Sequence, residues 1–331
     1  MKLKFTIFAF LTLLLFAGGL FFGSVSIPWS EVLGILTGSV GDEATRFIVL
    51  QSRLPQSVTA LLGGAALAVT GLMLQTAFRN PLAGPSILGI SSGASLGVAL
   101  VMLFFGGTLT LGTLTAAGNS AVIIGAFLGS LAVMGVLTAI SLRVRNNPML
   151  LIAGIMVGYL TSSLVTLLSS MATSQGVQSY VMWGMGTFSG VNTHQLPFFS
   201  ISTAIGLLLA LLLAKPLNIL MLGDGYARNL GVNVDRVRIY LLLITGLLTA
   251  VVTAYCGPVA FIGLSVPHIA RMIWRTDNHW ILFPATMLCG AIVALGCCLL
   301  SVIPDSNVIP INALTPIVGV PVVLYVILKK R

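Results

Sequence analysis

Long apolar runs follow one another down this chain with no Asp, Glu, Lys or Arg at their centres. A helix needs about 20 apolar residues to cross a bilayer, and lipid tolerates only helices and closed barrels as spanning structures. The runs have the length of helices. With 7% charged residues and a mean hydropathy of +1.08, the chain cannot clothe a water-facing surface, where about a quarter of positions normally carry charge. It reads as an all-α, polytopic membrane protein. Residues 1–331 form one transmembrane domain, with no hydrophilic stretch long enough for a soluble one.

Ten spans are predicted, at 5–23, 55–76, 87–105, 119–142, 149–171, 196–214, 238–256, 259–273, 280–302 and 311–328. The eighth is short and holds Pro267, so a broken or tilted helix is expected there. Lys2 and Lys4 before the first run, and Ser24-Val25-Ser26 after it, resemble a secretory signal. The run exceeds the ~7–15 residues of a signal core and more spans follow, so it reads as a retained span. With the N-terminus inside, the inner segments hold Lys2, Lys4, Arg79, Arg143, Arg145, Lys215, Arg228, Arg236, Arg238, Arg271, Arg275, Lys329, Lys330 and Arg331. That is fourteen of sixteen basic residues, leaving Arg46 and Arg53 outside. The acidic residues divide into Glu31, Asp42, Glu43 and Asp305 outside and Asp224, Asp235 and Asp277 inside. The basic excess follows the positive-inside rule and supports ten spans with both termini cytoplasmic.

The spans are informative by what they lack. A charge at the bilayer centre costs about 2.5–3.5 kcal/mol on insertion scales and is kept only for a task. The empty span centres argue against a proton-driven secondary transporter and against an embedded enzyme. There is no G-x-x-x-x-G-K-[ST] phosphate loop, so energy for uphill movement would come from another chain. Basic residues are scattered singly rather than gathered in a stripe, which argues against nucleic acid. Cys256, Cys289, Cys297 and Cys298 show no C-x-x-C spacing, and the vicinal pair reads as small packing residues. His194 and His279 are placed in loops and make no cluster with His268, so no metal site and no cofactor is expected. His268, beside Pro267 and near Arg271, reads as satisfying backbone groups near the inner surface rather than as a metal or heme ligand. The pairs Gly125/Gly129 and Gly154/Gly158 have the spacing that lets helix backbones approach. They serve packing, or line a pathway or a dimer seam.

Two inner loops are polar. Arg79-Asn80-Pro81-Leu82-Ala83-Gly84-Pro85 reads as a defined turn, with Asn80 bonding backbone groups and Arg79 at the lipid headgroups. Residues 222–238 hold a short helix capped by Asp224 and ended by Gly231. This is the most polar inner loop, and so the place for a cytoplasmic partner to grip.

Four segments now carry a family resemblance. They are Arg53-Leu54-Pro55 with Gly63-Gly64-Ala65-Ala66-Leu67-Ala68 and Gly71; Asn80-Pro81-Leu82-Ala83-Gly84-Pro85 with Leu88-Gly89-Ile90-Ser91-Ser92-Gly93-Ala94; Leu222-Gly223-Asp224 through Leu230-Gly231-Val232; and Gly257-Pro258-Val259-Ala260-Phe261-Ile262-Gly263-Leu264-Ser265-Val266-Pro267-His268-Ile269-Ala270-Arg271. The chain resembles the permease subunits of bacterial ABC importers for iron–siderophore complexes, heme and cobalamin. The resemblance implies a type II importer in the inner membrane: a ten-helix protomer paired with a second copy around a central pathway. Two cytoplasmic ATPase subunits and an extracytoplasmic substrate-binding protein would complete it. The substrate would be an iron chelate, with corrinoid or heme as alternatives.

The resemblance also assigns residues. The segment 215–237 becomes the ATPase coupling loop, centred on Asp224, Tyr226, Arg228, Leu230 and Gly231. Asn80 and Leu82 resemble a cytoplasmic gate. The fifth span resembles the pathway lining, through Thr161, Ser162, Thr166 and Ser169. Those hydroxyls, with Ser163 and Ser170, can equally bond back to their own helix. Arg53, and the position of Gln56, match residues that dock the binding protein. The sequence departs from the family pattern elsewhere. Ala-Asp-x-x-Ala-Arg reads Cys297-Cys298-Leu299-Leu300-Ser301-Val302, Glu-x-Pro-x-Gly reads Val308-Ile309-Pro310-Ile311-Asn312, and an arginine is replaced by Gln56. The docking surface is therefore expected to be less basic. An ion-coupled secondary transporter is the reading from another class, and a membrane protein with no transport role is a third.

Overall fold

A computed structural model describes residues 1–38, 42–104, 116–144, 147–302 and 308–329. All regular elements among them are helical. In order they are α1 (Lys2–Phe21), α2 (Trp29–Leu36), α3 (Glu43–Phe47), a π-helical stretch (Ile48–Arg53) continuing into α4 (Leu54–Phe78), α5 (Ile90–Ala99) with a second π-helical stretch (Leu100–Phe104), α6 (Ala116–Arg143), α7 (Asn147–Met171), α8 (Ser174–Gly184), α9 (Leu196–Leu212), α10 (Ala214–Leu220), α11 (Asp224–Asn229), α12 (Val234–Cys256), α13 (Ile262–Trp274), α14 (His279–Val302) and α15 (Ile311–Lys329).

Each of the ten predicted runs falls on a helix, but not each helix is a full span. Among the described residues, six are long and apolar enough to cross a membrane: α1, the rod Glu43–Phe78, Ser120–Arg143, Pro148–Met171, α12 and α14. α9 and α10 make a seventh if their 47° bend is counted as one broken span. The other three runs give shorter helices, at Ile90–Leu103, Ile311–Val326 and the 13-residue α13. Arg145, Asp305, Lys330, Arg331 and the end of the third predicted span lie outside the described residues.

The eighth run shows why it is short. Gly257 (φ 73°) and Phe261 (φ 65°) turn the backbone through the left-handed region before α13 can start. Pro267 does not break α13. It has no N–H for the Gly263 carbonyl four residues back, and that oxygen instead faces Gly71 of α4, where any Cβ would overlap it.

α4 is apolar on all sides, as a helix at the centre of a bundle must be. It packs against α14, α13, α12 and α9, and most of its residues are buried. α1 lies at the periphery and is attached at both ends. At one end Lys4 Nζ donates to the Ile273 carbonyl (2.6 Å), and the rings of Phe5 and Phe8 pack on Trp274 at 5.2 and 4.8 Å. At the other end it is held by Arg53.

Candidate functional site

The polar groups gather at the end of the bundle where α4, α10 and α13 finish and α11 and α14 begin. α11 ends as its sequence requires. Gly231 is left-handed (φ 80°), its N–H donates to the Arg228 carbonyl (3.0 Å), and Val232 N–H reaches back to the Ala227 carbonyl (2.9 Å). Those two bonds are a Schellman motif. The start differs from expectation. Gly223 (φ 119°) occupies the N-cap, and Asp224 is the first helical residue with no capping bond. Its carboxylate is drawn away by two cations, Arg79 Nη2 at 3.1 Å and Arg238 Nη2 at 3.6 Å. Arg228 pairs with Asp235 at 3.4 Å, bracing the segment internally. Tyr226 and Leu230 are 67% and 58% exposed, so α11 and the residue that caps its end present an aromatic and an aliphatic side chain outward.

Arg79 is engaged within the protein. It caps α4 in the left-handed region (φ 46°), and its guanidinium also donates to the Leu220 carbonyl (3.1 Å) at the end of α10. One side chain thus ties the 79–85 turn to both α10 and α11. In that turn Asn80 Oδ1 accepts from Leu82 N–H (2.9 Å), the bond expected of it, and holds Leu82 outward, 40% exposed. The next carbonyl, Pro81, accepts from His268 Nε2 (2.8 Å), so His268 serves backbone as its sequence context suggested.

One turn up α4, Gln75 donates to the Leu264 carbonyl (3.0 Å) and accepts from Arg271 (2.7 Å), which also faces Asp277 at 3.7 Å. His279 is not in a loop. It opens α14, 1% exposed, with both N–H and Nδ1 on Asn218 Oδ1 (2.8 Å each) and Nε2 on the Thr76 hydroxyl (2.9 Å). A 450 Å³ cleft opens among these groups, lined by Gln75, Arg79, Pro81, His268, Arg271 and Asp277. Exposed ion pairs are worth only about 0–1 kcal/mol, so the Arg79–Asp224 pair matters as a link between segments more than as a source of stability. Sequence reasoning missed Gln75, Asn218, Arg238 and the bridging role of Arg79. Gln75 carried a signal, as the one amide in the inner half of its apolar run.

On α7, Thr161 Oγ1 donates to the Val157 and Gly158 carbonyls, Thr166 to Ser162 and Ser169 to Val165, all within the helix. Thr161 is buried, while Ser162 and Thr166 face outward beside Met156, Tyr159, Leu160 and Leu167. The chain thus leaves uncovered a face of α7 that is apolar, hydroxyl-bearing and without charge.

At the opposite end, Arg53 is only 4% exposed. Its guanidinium donates to the Leu20 and Phe21 carbonyls (2.9 Å each) and to the Val25 carbonyl, closing the end of α1. That burial does not fit a surface docking residue, and three of its hydrogen bonds go to backbone. Gln56, Cys298, Val302 and Val308 line one 140 Å³ cleft beside it. Four departures from the family pattern, each replacing a charged residue, are therefore neighbours in space. Arg53→Ala should lower stability by about 2–4 kcal/mol, because charge-assisted bonds to several carbonyls disappear. It should leave the salt dependence of binding-protein association unchanged. Thermal unfolding in detergent and association rates at two ionic strengths check both halves.

A profile of the FecCD transport family matches residues 11–329. The vitamin B12 import system permease protein BtuC of Klebsiella pneumoniae subsp. pneumoniae is 35% identical over 291 residues, 86% of this chain and 84% of that one. The hemin transport system permease protein HmuU of Yersinia pestis is 34% identical over 325 residues, 97% of this chain and 94% of its own. Among solved structures, a metal-chelate type ABC transporter in an inward-facing conformation aligns over 100% of both chains, with a TM-score of 0.85 and 29% identity. PsaBC from Streptococcus pneumoniae shares the fold over 82% of this chain and 90% of its own, at TM-score 0.56 and 16% identity.

Proposed function

Because this chain belongs to the FecCD transport family, with import and transport system permease proteins among its relatives and an ABC transporter as a solved neighbour, we propose that it carries a metal chelate across the inner membrane in a homodimer driven by two ATPase subunits. An iron–siderophore complex is the substrate we place first. A solved neighbour that aligns over the full length is of metal-chelate type. Hemin and vitamin B12 stay within the same chemical class, and the relatives named for them keep both as substrates to test. A substrate-binding protein would deliver the chelate from outside.

The observation that carries the reading is the Arg79–Asp224 pair. It joins the helix that would meet the ATPase, through Tyr226, Arg228 and Leu230, to the turn of Asn80 and Leu82 that would gate the pathway. The ATPase would move α11, and the ion pair would pass that movement to the gate. The uncharged face of α7, with Thr161, Ser162, Thr166 and Ser169, would line the pathway against a second copy. The end bearing Lys4, Arg79, Arg228, Arg271 and Arg275 would face the cytoplasm, following the positive-inside rule.

Reconstitution tests this. With its ATPase and binding protein in proteoliposomes, the permease should take up a ferric siderophore only when ATP is supplied. Hemin and cobalamin should be run alongside, because uptake of either in place of the siderophore would leave the mechanism unchanged. In a cysteine-free background, a thiol from Glu43→Cys should react with an impermeant reagent from outside and one from Tyr226→Cys should not. Uptake driven by an ion gradient without ATPase subunits would return the protein to the secondary-transporter class, and the reversed labelling pattern would remove α11 from the coupling role.

A further inference from the structure

We propose that Asn312 is a positioning residue that latches α8 to the entrances of α13 and α15, keeping closed the end of the bundle opposite the polar cleft. Its carboxamide is almost fully used. Nδ2 donates to the Gly184 carbonyl (3.0 Å) and to the Pro258 carbonyl, and Oδ1 accepts from Ala260 N–H (3.0 Å). Its own backbone N–H donates to the Met185 carbonyl (3.2 Å). The last carbonyls of a helix have no partner inside it. At the end of α8, Asn312 supplies partners for two successive ones.

The backbone around this amide is held in conformations that need holding. Gly186 (φ 72°), Gly257 (φ 73°) and Phe261 (φ 65°) are all left-handed, and for phenylalanine that is strained. A Cβ on Gly257 would lie 2.6 Å from the Trp183 carbonyl oxygen, so the two turns touch backbone to backbone. Thr187 N–H adds one direct bond across them, to the Cys256 carbonyl (2.8 Å). Asn312 bonds to both sides of this contact, and no other side chain among the described residues does.

The latch reaches toward the transport path through the chain itself. α8 follows α7 after two residues and starts with its own cap, Thr173 Oγ1 accepting from Gly176 N–H (3.3 Å). Fixing the far end of α8 therefore fixes how α7 leaves the bundle. Beside the latch is a 330 Å³ cleft lined by Trp183, Thr187, Asn192, Tyr255 and Cys256. The inference rests on the transport reading for its purpose: release of Asn312 would accompany opening of this end.

Cys256 provides the probe, being 1% exposed and bordering that cleft. The full-length permease is placed in nanodiscs with Cys289, Cys297 and Cys298 replaced by alanine, and the labelling rate of Cys256 with a small charged methanethiosulfonate is measured. Asn312→Ala should raise that rate at least tenfold. Asn312→Asp should raise it at least as much, since a carboxylate cannot donate and is repelled by two carbonyl oxygens. A parallel background keeps only Cys289, buried within α14, and there the rate should not change. An unchanged Cys256 rate in Asn312→Ala overturns the latch. So does an equal rise at Cys289, which would mean that the whole bundle has loosened. The labelling uses the permease by itself, so its outcome is separate from whether ATPase subunits drive uptake.

Discussion

Asp224→Arg should reduce ATP hydrolysis stimulated by loaded binding protein to below a tenth of the native level, while the chain still folds and inserts. Asp224 is the only acidic residue paired to both Arg79 and Arg238 among the described residues. A third guanidinium there converts two attractions into two repulsions and pushes α11 away from the turn of Asn80 and Leu82. The cost to folding is small, because the carboxylate is 39% exposed and exposed pairs contribute about 0–1 kcal/mol. Loss of coupling with little loss of stability is the signature to look for. The exchanged pair, Arg79→Asp with Asp224→Arg, should restore part of the stimulation. The two residues contact each other, so their effects are not additive. Native stimulation in the single variant would overturn the proposed link between α11 and the turn of Asn80 and Leu82.

Gly71→Val should leave almost no monodisperse protein. The side chain would be built into the Gly263 carbonyl oxygen and its Cα. Overpacking a core ordinarily costs about 1–3 kcal/mol because side chains can shift. Here the obstacle is backbone on a facing helix, so α4 and α13 must separate. Separation would also break the contacts one turn further along, where Gln75 meets the Leu264 carbonyl and Arg271. Even Gly71→Ala should lower the thermal midpoint, since its methyl already overlaps the oxygen. Size-exclusion profiles and thermal scans of the two variants in detergent decide the matter. A valine variant with the native midpoint would mean that the two helices do not approach as closely as described.

The helical membrane bundle was legible because charge is so costly in hydrocarbon that apolar runs stand out in the sequence; the run of 55–76 nevertheless belongs to a longer rod, Glu43–Phe78, and three other runs form shorter helices. Local chemistry was legible where it depends on a few neighbouring residues: Gly231 ends α11, and Asn80 folds its own turn. What could not be read was any contact across the chain. Asp224 was expected to cap its helix, and sequence neighbours gave no hint that Arg79 and Arg238 would compete for its carboxylate. Arg53 was expected at the surface. Its burial depends on where the end of α1 lies, 28–33 residues earlier in the chain. Gln56, Cys298, Val302 and Val308 read as four separate losses of charge. In space they border one cleft, together with Arg53, whose guanidinium is held by backbone carbonyls.

The glycines of α5 set a limit on how this protein can move. Gly93 and Gly97 lie against Gly129 and Gly125 of α6, and Gly89 lies against Gly154 and Gly158 of α7, each contact being main chain on main chain. Helices that meet through side chains can slide, because rotamers change to take up the displacement. Few side chains enter these joints: Val133 lies beside Gly93, Val101 beside Gly125 and Leu88 beside Gly154. A shift along either one drives carbonyl oxygens toward Cα atoms, so α5 and the stretches of α6 and α7 that touch it resist sliding past one another. Shear during a transport cycle is therefore displaced to seams that have side chains to rearrange, such as Met134 of α6 against Gly246 of α12.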